Sequence, residues 1–259
     1  MLRKRKKAAR FPGFPPPGEL RLSGNRIDVW LTSVVAEEHL IPVLTGILSE
    51  DEGERFRQIP SGMKRHHYLI VRSFLRLVLA RYLPIHPEDL VLASSPDNKP
   101  ALAGAGAESG LRFNLSHSHG KLLCGITAGA EIGVDIEKMR PGYTFDKIAK
   151  RHFSPGEYSF FRNAPDSGKI EAFFTVWTRK EAFLKALGTG LHTPLNAFDV
   201  AAPGEPVEFL RDVSGVDITK RWYVTDLSAV PGYRAAVCTD GMMGELSRYR
   251  VSVGDLLFT

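Results

Sequence analysis

No feature of this chain limits its fold more than the run Phe173–Leu187, FFTVWTRKEAFLKAL, closed by Gly188-Thr189-Gly190. Apolar residues recur at helical spacing and glycine follows the last of them, which predicts a helix ended by a glycine cap. On a helical wheel Phe173, Trp177, Leu184 and Leu187 form one stripe, with Val176 and Phe183 beside it. Lys180 falls inside that stripe, and Glu181 and Lys185, four apart, line its edge with Phe174. A lysine on a core-facing stripe is costly unless its charge meets a partner. The alternative is snorkelling, in which the stem packs and the ammonium reaches water.

With 259 residues, 43% of them hydrophobic, the chain can bury a substantial core, as one large domain or two small ones. Its net charge of +5 misleads. The first ten residues carry six positive charges (Arg3, Lys4, Arg5, Lys6, Lys7 and Arg10), and without them the remainder is at −1. A nearly neutral body argues against a nucleic-acid binder. Phe11-Pro12-Gly13-Phe14-Pro15-Pro16-Pro17-Gly18 follows the basic run, so no secretory signal is expected and residues 1–19 read as a solvated tail. No apolar run reaches the roughly 18 residues of a membrane span. Cys124 and Cys238 alone suit a cytoplasmic protein and supply neither a disulfide framework nor a zinc site.

Arg26–Leu31 alternates as a first strand. Ser49 and Glu52 form a capping box that opens a short helix carrying Arg55. A longer helix is expected from Met63 to Leu83, stopped by Pro84, with Arg65, Arg72 and Arg76 on one face. That basic face is either an ordinary solvated surface or a landing strip for phosphate. A three-strand meander is expected over Leu111–Ser116, Leu122–Thr127 and Glu131–Glu137, with turns at Gly120 and Ala128-Gly129. Ser154, Pro155 and Glu157 carry the N-cap, first-turn and capping-box signals of another helix. Past the central helix, strands are expected near 197–200, 207–210, 222–227 and 233–238.

Chemistry gathers in two strands. In Gly133-Val134-Asp135-Ile136-Glu137, alternation puts Asp135 and Glu137 on one face with Gly133, and Val134 and Ile136 on the other. Two carboxylates projecting together repel unless a cation or proton lies between them, and paired hard oxygens suit Mg²⁺. A solvated strand face is the plain alternative. Phe113-Asn114-Leu115-Ser116-His117-Ser118-His119-Gly120 holds more polar chemistry than a strand end needs. His117 and His119 lack a third soft ligand for a transition metal. Ser118 with Lys121, like Ser61 with Lys64, gives the S-x-x-K spacing of some serine hydrolases without its companion motifs.

Taken together and in order, Asn98-Lys99-Pro100, FNLSHS at 113–118, GVDIE at 133–137 and WTRKEAFLK at 177–185 resemble the 4′-phosphopantetheinyl transferases, of the long, surfactin-synthetase-activating type. Ala149–Tyr158 resembles the segment that family carries between its last two motifs, and the likeness runs from about Ile27 to Cys238. The resemblance implies an enzyme that moves the 4′-phosphopantetheine arm of coenzyme A onto a serine of an acyl or peptidyl carrier protein. The reaction is Mg²⁺-dependent and releases 3′,5′-ADP.

It further implies a role for each matching residue. Asp135 and Glu137 correspond to the family's metal pair and Glu181 to its third acid. Lys180 and Lys185 would meet phosphate oxygens. His117 corresponds to a phosphate-contacting histidine, with Ser116 and Asn114 in the same motif. Lys99 would lie near the nucleotide. Arg55 matches a basic residue for the 3′-phosphate, although Glu52 stands where a second basic residue is common. Glu157 aligns with an acid that assists deprotonation of the carrier serine, and it fits its capping box equally well. A water on the metal, or Glu181, is the other candidate base.

The implied fold is α+β, two similar halves near 20–128 and 129–240 about a pseudo-two-fold, with the cofactor between them and residues 241–259 as an extension. A monomer is expected. The competing readings are another Mg²⁺-dependent phosphotransferase or nucleotide hydrolase, and a non-catalytic module that binds through the basic tail.

Overall fold

The computed structural model describes residues 20, 26–35, 38–94, 99–141, 145–188, 193–200, 207–210, 216–217, 219–227, 230–241 and 244–258. The basic tail, Asn98 and Thr189-Gly190 lie outside them. In chain order come β1 (Ile27–Ser33), α1 (Ile41–Ile47), α2 (Glu50–Gln58) and α3 (Met63–Leu79). Next are β2 (Val91–Ser94), β3 (Pro100–Ala103), β4 (Leu111–Ser118), β5 (Lys121–Ala128) and β6 (Ile132–Lys138). Then follow α4 (Phe145–His152), α5 (Pro155–Asn163) and α6 (Lys169–Leu187). The chain finishes with β7 (Phe198–Asp199), β8 (Glu208–Phe209), β9 (Trp222–Leu227), β10 (Tyr233–Asp240), β11 (Leu246–Arg250) and α7 (Asp255–Phe258). The architecture is α+β. Among the described residues no helix is long and apolar enough to cross a membrane.

The chain forms two compact units. One contains Val35–Leu90 and Val251–Thr259 and is helical. Ser49 and Glu52 form the expected capping box on α2. Glu52 then receives Nε of both Arg72 and Arg76, at 2.6 and 2.5 Å. Arg76 is fully buried and also donates to the Pro87 and Leu90 carbonyls at 2.7 and 2.8 Å. The basic face of α3 is therefore partly an internal ion cluster, and Arg76 is neither solvated nor open to phosphate. The helix stops at Leu79, four residues before the expected end, because Arg81 and Tyr82 tighten into i→i−3 bonds to Val78 and Leu79.

The other unit, Leu22–Val34 with Val91–Arg250, holds every sheet formed by the described residues. One sheet has the order β11-β1-β5-β4 and a second the order β6-β10-β9. The two share a core in which Ile27, Val29, Leu31 and Leu123 meet Ile132, Val134, Ile136 and Val237. The opposite face of the second sheet packs on α6, where Ala182, Phe183 and Ala186 meet Trp222, Val224, Ala236 and Cys238. The helix is buried on nearly every side and ends at Gly188, in the left-handed conformation at φ 79°.

The expected meander holds only for its first two strands. β4 and β5 form a hairpin, whereas β6 leaves to pair with β10. β6 instead packs across β5, and Gly125 permits the close approach: a Cβ there would lie 2.6 Å from Val134 Cγ1. β11, which pairs with β1 in parallel, was not expected. Its sequence Leu246-Ser247-Arg248-Tyr249-Arg250 is too polar to announce a strand.

Candidate active site

Alternation along β6 divides the strand's side chains as the sequence requires. Ile132, Val134 and Ile136 enter the core between the sheets, while Gly133, Asp135 and Glu137 take the face toward α6. A cavity of about 400 Å³ opens there, lined by Leu115, Ser116, His117, Asp135, Glu137, Trp177, Glu181 and Lys185. Three distant stretches thus deliver two strand acids, one helix acid, a lysine and a histidine to one wall.

Asp135 is buried. Its Oδ1 accepts from Lys185 Nζ at 2.6 Å and from Ser116 Oγ at 2.8 Å. Its Oδ2 is buried and has no hydrogen-bond partner among the described residues. Such an oxygen is costly to leave bare. Glu181 is half-buried, and burial first, then the charge of Asp135, raises its carboxyl above the ordinary range against the pull of Lys185. Among the described residues no group of three His, Cys, Asp or Glu side chains is already drawn together as a metal cage. Lys185 is the cation paired with Asp135 Oδ1.

The remaining candidates divide. Ser116 touches the cavity, but its one hydrogen goes to Asp135 and its lone pairs to Ile136 N–H (3.3 Å) and Lys185 (2.9 Å), so its capacity is used. Asn114 turns away, its Oδ1 accepting from Val134 N–H at 2.9 Å. Lys99 lies against Glu131 Oε2 at 3.1 Å. Arg55 is exposed on α2 in the helical unit.

Lys180 and Glu157 require correction. Lys180 is fully buried and gives its three hydrogens to Glu157 Oε2 (2.7 Å), Leu195 O (2.6 Å) and Phe198 O (2.8 Å). None is left for phosphate, and the ammonium does not snorkel to water. Glu157 is equally buried, with Oε1 on Val200 N–H and Oε2 on Ser154 N–H, both at 2.8 Å. It has no access to a substrate hydroxyl and acts as the capping-box acid of α5. Burial pushes Glu157 up and Lys180 down, each opposed by the other's charge.

Sequence reading passed over Ser118 except as half of an S-x-x-K spacing. Its hydroxyl donates to Glu137 Oε2 at 2.6 Å. The available signal was the small polar residue at every second position, Asn114, Ser116 and Ser118, all buried on one face of β4.

Comparison with known proteins gives the family. The 4′-phosphopantetheinyl transferase superfamily matches residues 131–238, the segment that includes β6 and α6. The 4′-phosphopantetheinyl transferase HetI of Nostoc sp. (strain PCC 7120) is 36% identical over 196 residues, covering 75% of this chain and 82% of that one. The 4′-phosphopantetheinyl transferase Sfp of Bacillus subtilis (strain 168) is 30% identical over 203 residues, covering 74% and 87%. The chain therefore belongs to the 4′-phosphopantetheinyl transferases, and within them to the Sfp-like type.

Proposed function

We propose that the family's activity, transfer of 4′-phosphopantetheine from coenzyme A to a carrier-protein serine, is carried out in the cavity between β6 and α6. The single observation that carries this reading is the bare, buried Oδ2 of Asp135, a residue that lines one cavity with Glu137, Glu181, His117 and Lys185. An all-oxygen set of three carboxylates with room for phosphate oxygens fits Mg²⁺ and not a softer metal. Asp135, Glu137 and Glu181 would hold it. When bound, the ion would neutralise charge on the pyrophosphate in the transition state.

The chain's own groups do the rest. His117 and Lys185 offer donors to the pyrophosphate oxygens, so substrate replaces Asp135 as the partner of Lys185. Trp177 walls the cavity with apolar surface. Glu181 takes the hydrogen of the carrier serine as its oxygen attacks the phosphorus bearing the pantetheine arm. The bond to 3′,5′-ADP breaks, and the ADP departs with the negative charge. Arg55 and Lys99 are proposed to bind nucleotide phosphates on family resemblance alone.

The test is intact-mass analysis of apo-carrier proteins incubated with the enzyme, coenzyme A and Mg²⁺. One added phosphopantetheine arm is expected, and none with Asp135→Asn. An Asp135→Asn enzyme that works at the wild-type rate would remove the basis of the assignment.

A further inference from the structure

β4 and β6 belong to different sheets, yet they run side by side through side chains. Asn114 Oδ1, Ser116 Oγ and Ser118 Oγ accept from the backbone N–H groups of Val134, Ile136 and Lys138 at 2.9, 3.3 and 3.2 Å. The rungs recur every second residue on both strands. β6 is the edge of its sheet, so these N–H groups have no neighbouring strand to bond. Buried edge donors need acceptors, and three small polar side chains supply them.

The ladder is also aimed. Ser116 returns its hydrogen to Asp135, and Ser118 returns its own to Glu137 Oε2 at 2.6 Å. A hydroxyl has one hydrogen and two lone pairs. For Ser118 these are taken by Glu137, by the Lys138 N–H and by His119 Nδ1 at 3.1 Å, which must then carry the proton. Ser118 thus has its hydrogen-bonding capacity filled. Its position is fixed from the turn as well. His119 adopts the left-handed region at φ 43°, and Tyr233 donates its hydroxyl hydrogen to the His119 carbonyl at 2.7 Å.

From this geometry we infer that Ser118 is a positioning residue for Glu137, the last rung of a side-chain ladder that docks β4 on β6 and orients both strand acids toward the cavity. The inference rests on the reading of Asp135, Glu137 and Glu181 as a divalent-ion site. Glu137 is half-buried on a long side chain and, among the described residues, holds no other hydrogen-bond partner. With Oε2 held, Oε1 is presented in one orientation. Without the hydroxyl the carboxylate would rotate, and ligand affinity falls when such supports are removed.

The test is a Mn²⁺ titration of the full chain followed by electron paramagnetic resonance of the free ion, with the Mg²⁺ dependence of transfer measured in parallel. Ser118→Ala is expected to weaken Mn²⁺ about ten- to hundredfold and to raise the half-saturating Mg²⁺ similarly. Ser118→Thr, which keeps the hydroxyl, is expected to restore most of both. Ser73→Ala, which removes a buried hydroxyl bond to the Leu44 carbonyl in the helical unit, serves as a destabilised control with unchanged Mn²⁺ affinity. A folded Ser118→Ala that binds Mn²⁺ as tightly as wild type overturns the role of Ser118 alone. A wild-type chain that binds no Mn²⁺ overturns the divalent-ion reading, and this role with it.

Discussion

Gly133 and Ala182 meet backbone to backbone: a Cβ on residue 133 would lie 2.0 Å from the Ala182 carbonyl oxygen, and 2.3 Å from the Ala186 nitrogen. Glu181 and Lys185 directly precede those two alanines. The absent side chain is therefore what lets α6 settle on β6 closely enough to set its acid and its lysine opposite Asp135 and Glu137.

Gly133→Ala has no flexible side chain to displace, so α6 itself must move. A loss of about 1–3 kcal/mol in denaturant unfolding is expected. Transfer should fall more than that loss explains, because both helix groups shift together. A variant with wild-type turnover would show that the close approach does not set the site.

Glu181→Gln separates stability from activity. The folded carboxyl binds its proton more tightly than the unfolded one, so its contribution is fully present below the ordinary 4.5 and is lost as pH rises through the folded value. In metal-free protein near pH 8 the glutamine variant should melt higher, by roughly 2 °C. That advantage should shrink on acidification. Transfer should drop about a hundredfold or more. Calorimetry across pH, set beside the mass assay, checks both.

Lys180→Met leaves Glu157 charged and alone in the interior. A cost of about 3–5 kcal/mol is expected. Adding Glu157→Gln should recover much of it, since the amide carries no charge to strand. Urea unfolding of the single and double variants measures the coupling. A stable double variant without transfer activity would give the pair a chemical role after all.

His152 sits half-buried at α4's last turn, edge-on to Trp177 with ring centroids 6.4 Å apart. Burial, then Arg151, lowers its pKa below the ordinary 6.5. A lowered value means stability present above 6.5 and lost as pH falls through the folded pKa. His152→Gln should therefore lose less stability than wild type between pH 8 and pH 5, a difference under about 1 kcal/mol. Melting curves at the two pH values test it, and parallel losses would refute it.

Local signals were legible because they act over a few residues. Ser49 with Glu52, Ser154 with Glu157, the alternation through β6 and the glycine after Leu187 each declare a structure within one turn or strand. Asp135, Glu137 and Glu181 line one cavity, although among the described residues no three such side chains are drawn together as a metal cage. Partnerships across the fold were not legible. Lys180 could be placed on a buried stripe, but nothing in its neighbourhood named Glu157, 23 positions earlier, as its counterion. Arg72 and Arg76 matched a basic surface until Glu52 was found beneath them. Ser116 read as ligand chemistry, and Ser118 only as half of an S-x-x-K spacing, because their backbone partners lie on a strand about twenty residues further on.

The parallel pairing of β1 with β11 sets Ile27 against Leu246 and Leu31 against Arg250. During synthesis the first strand must wait for more than two hundred further residues before its outer edge is covered. Contacts so remote in sequence slow folding, and an uncovered apolar edge invites other chains to pair with it. The nascent protein is consequently most vulnerable to aggregation late in translation, when the β5 side of β1 already has its neighbour and the other side does not.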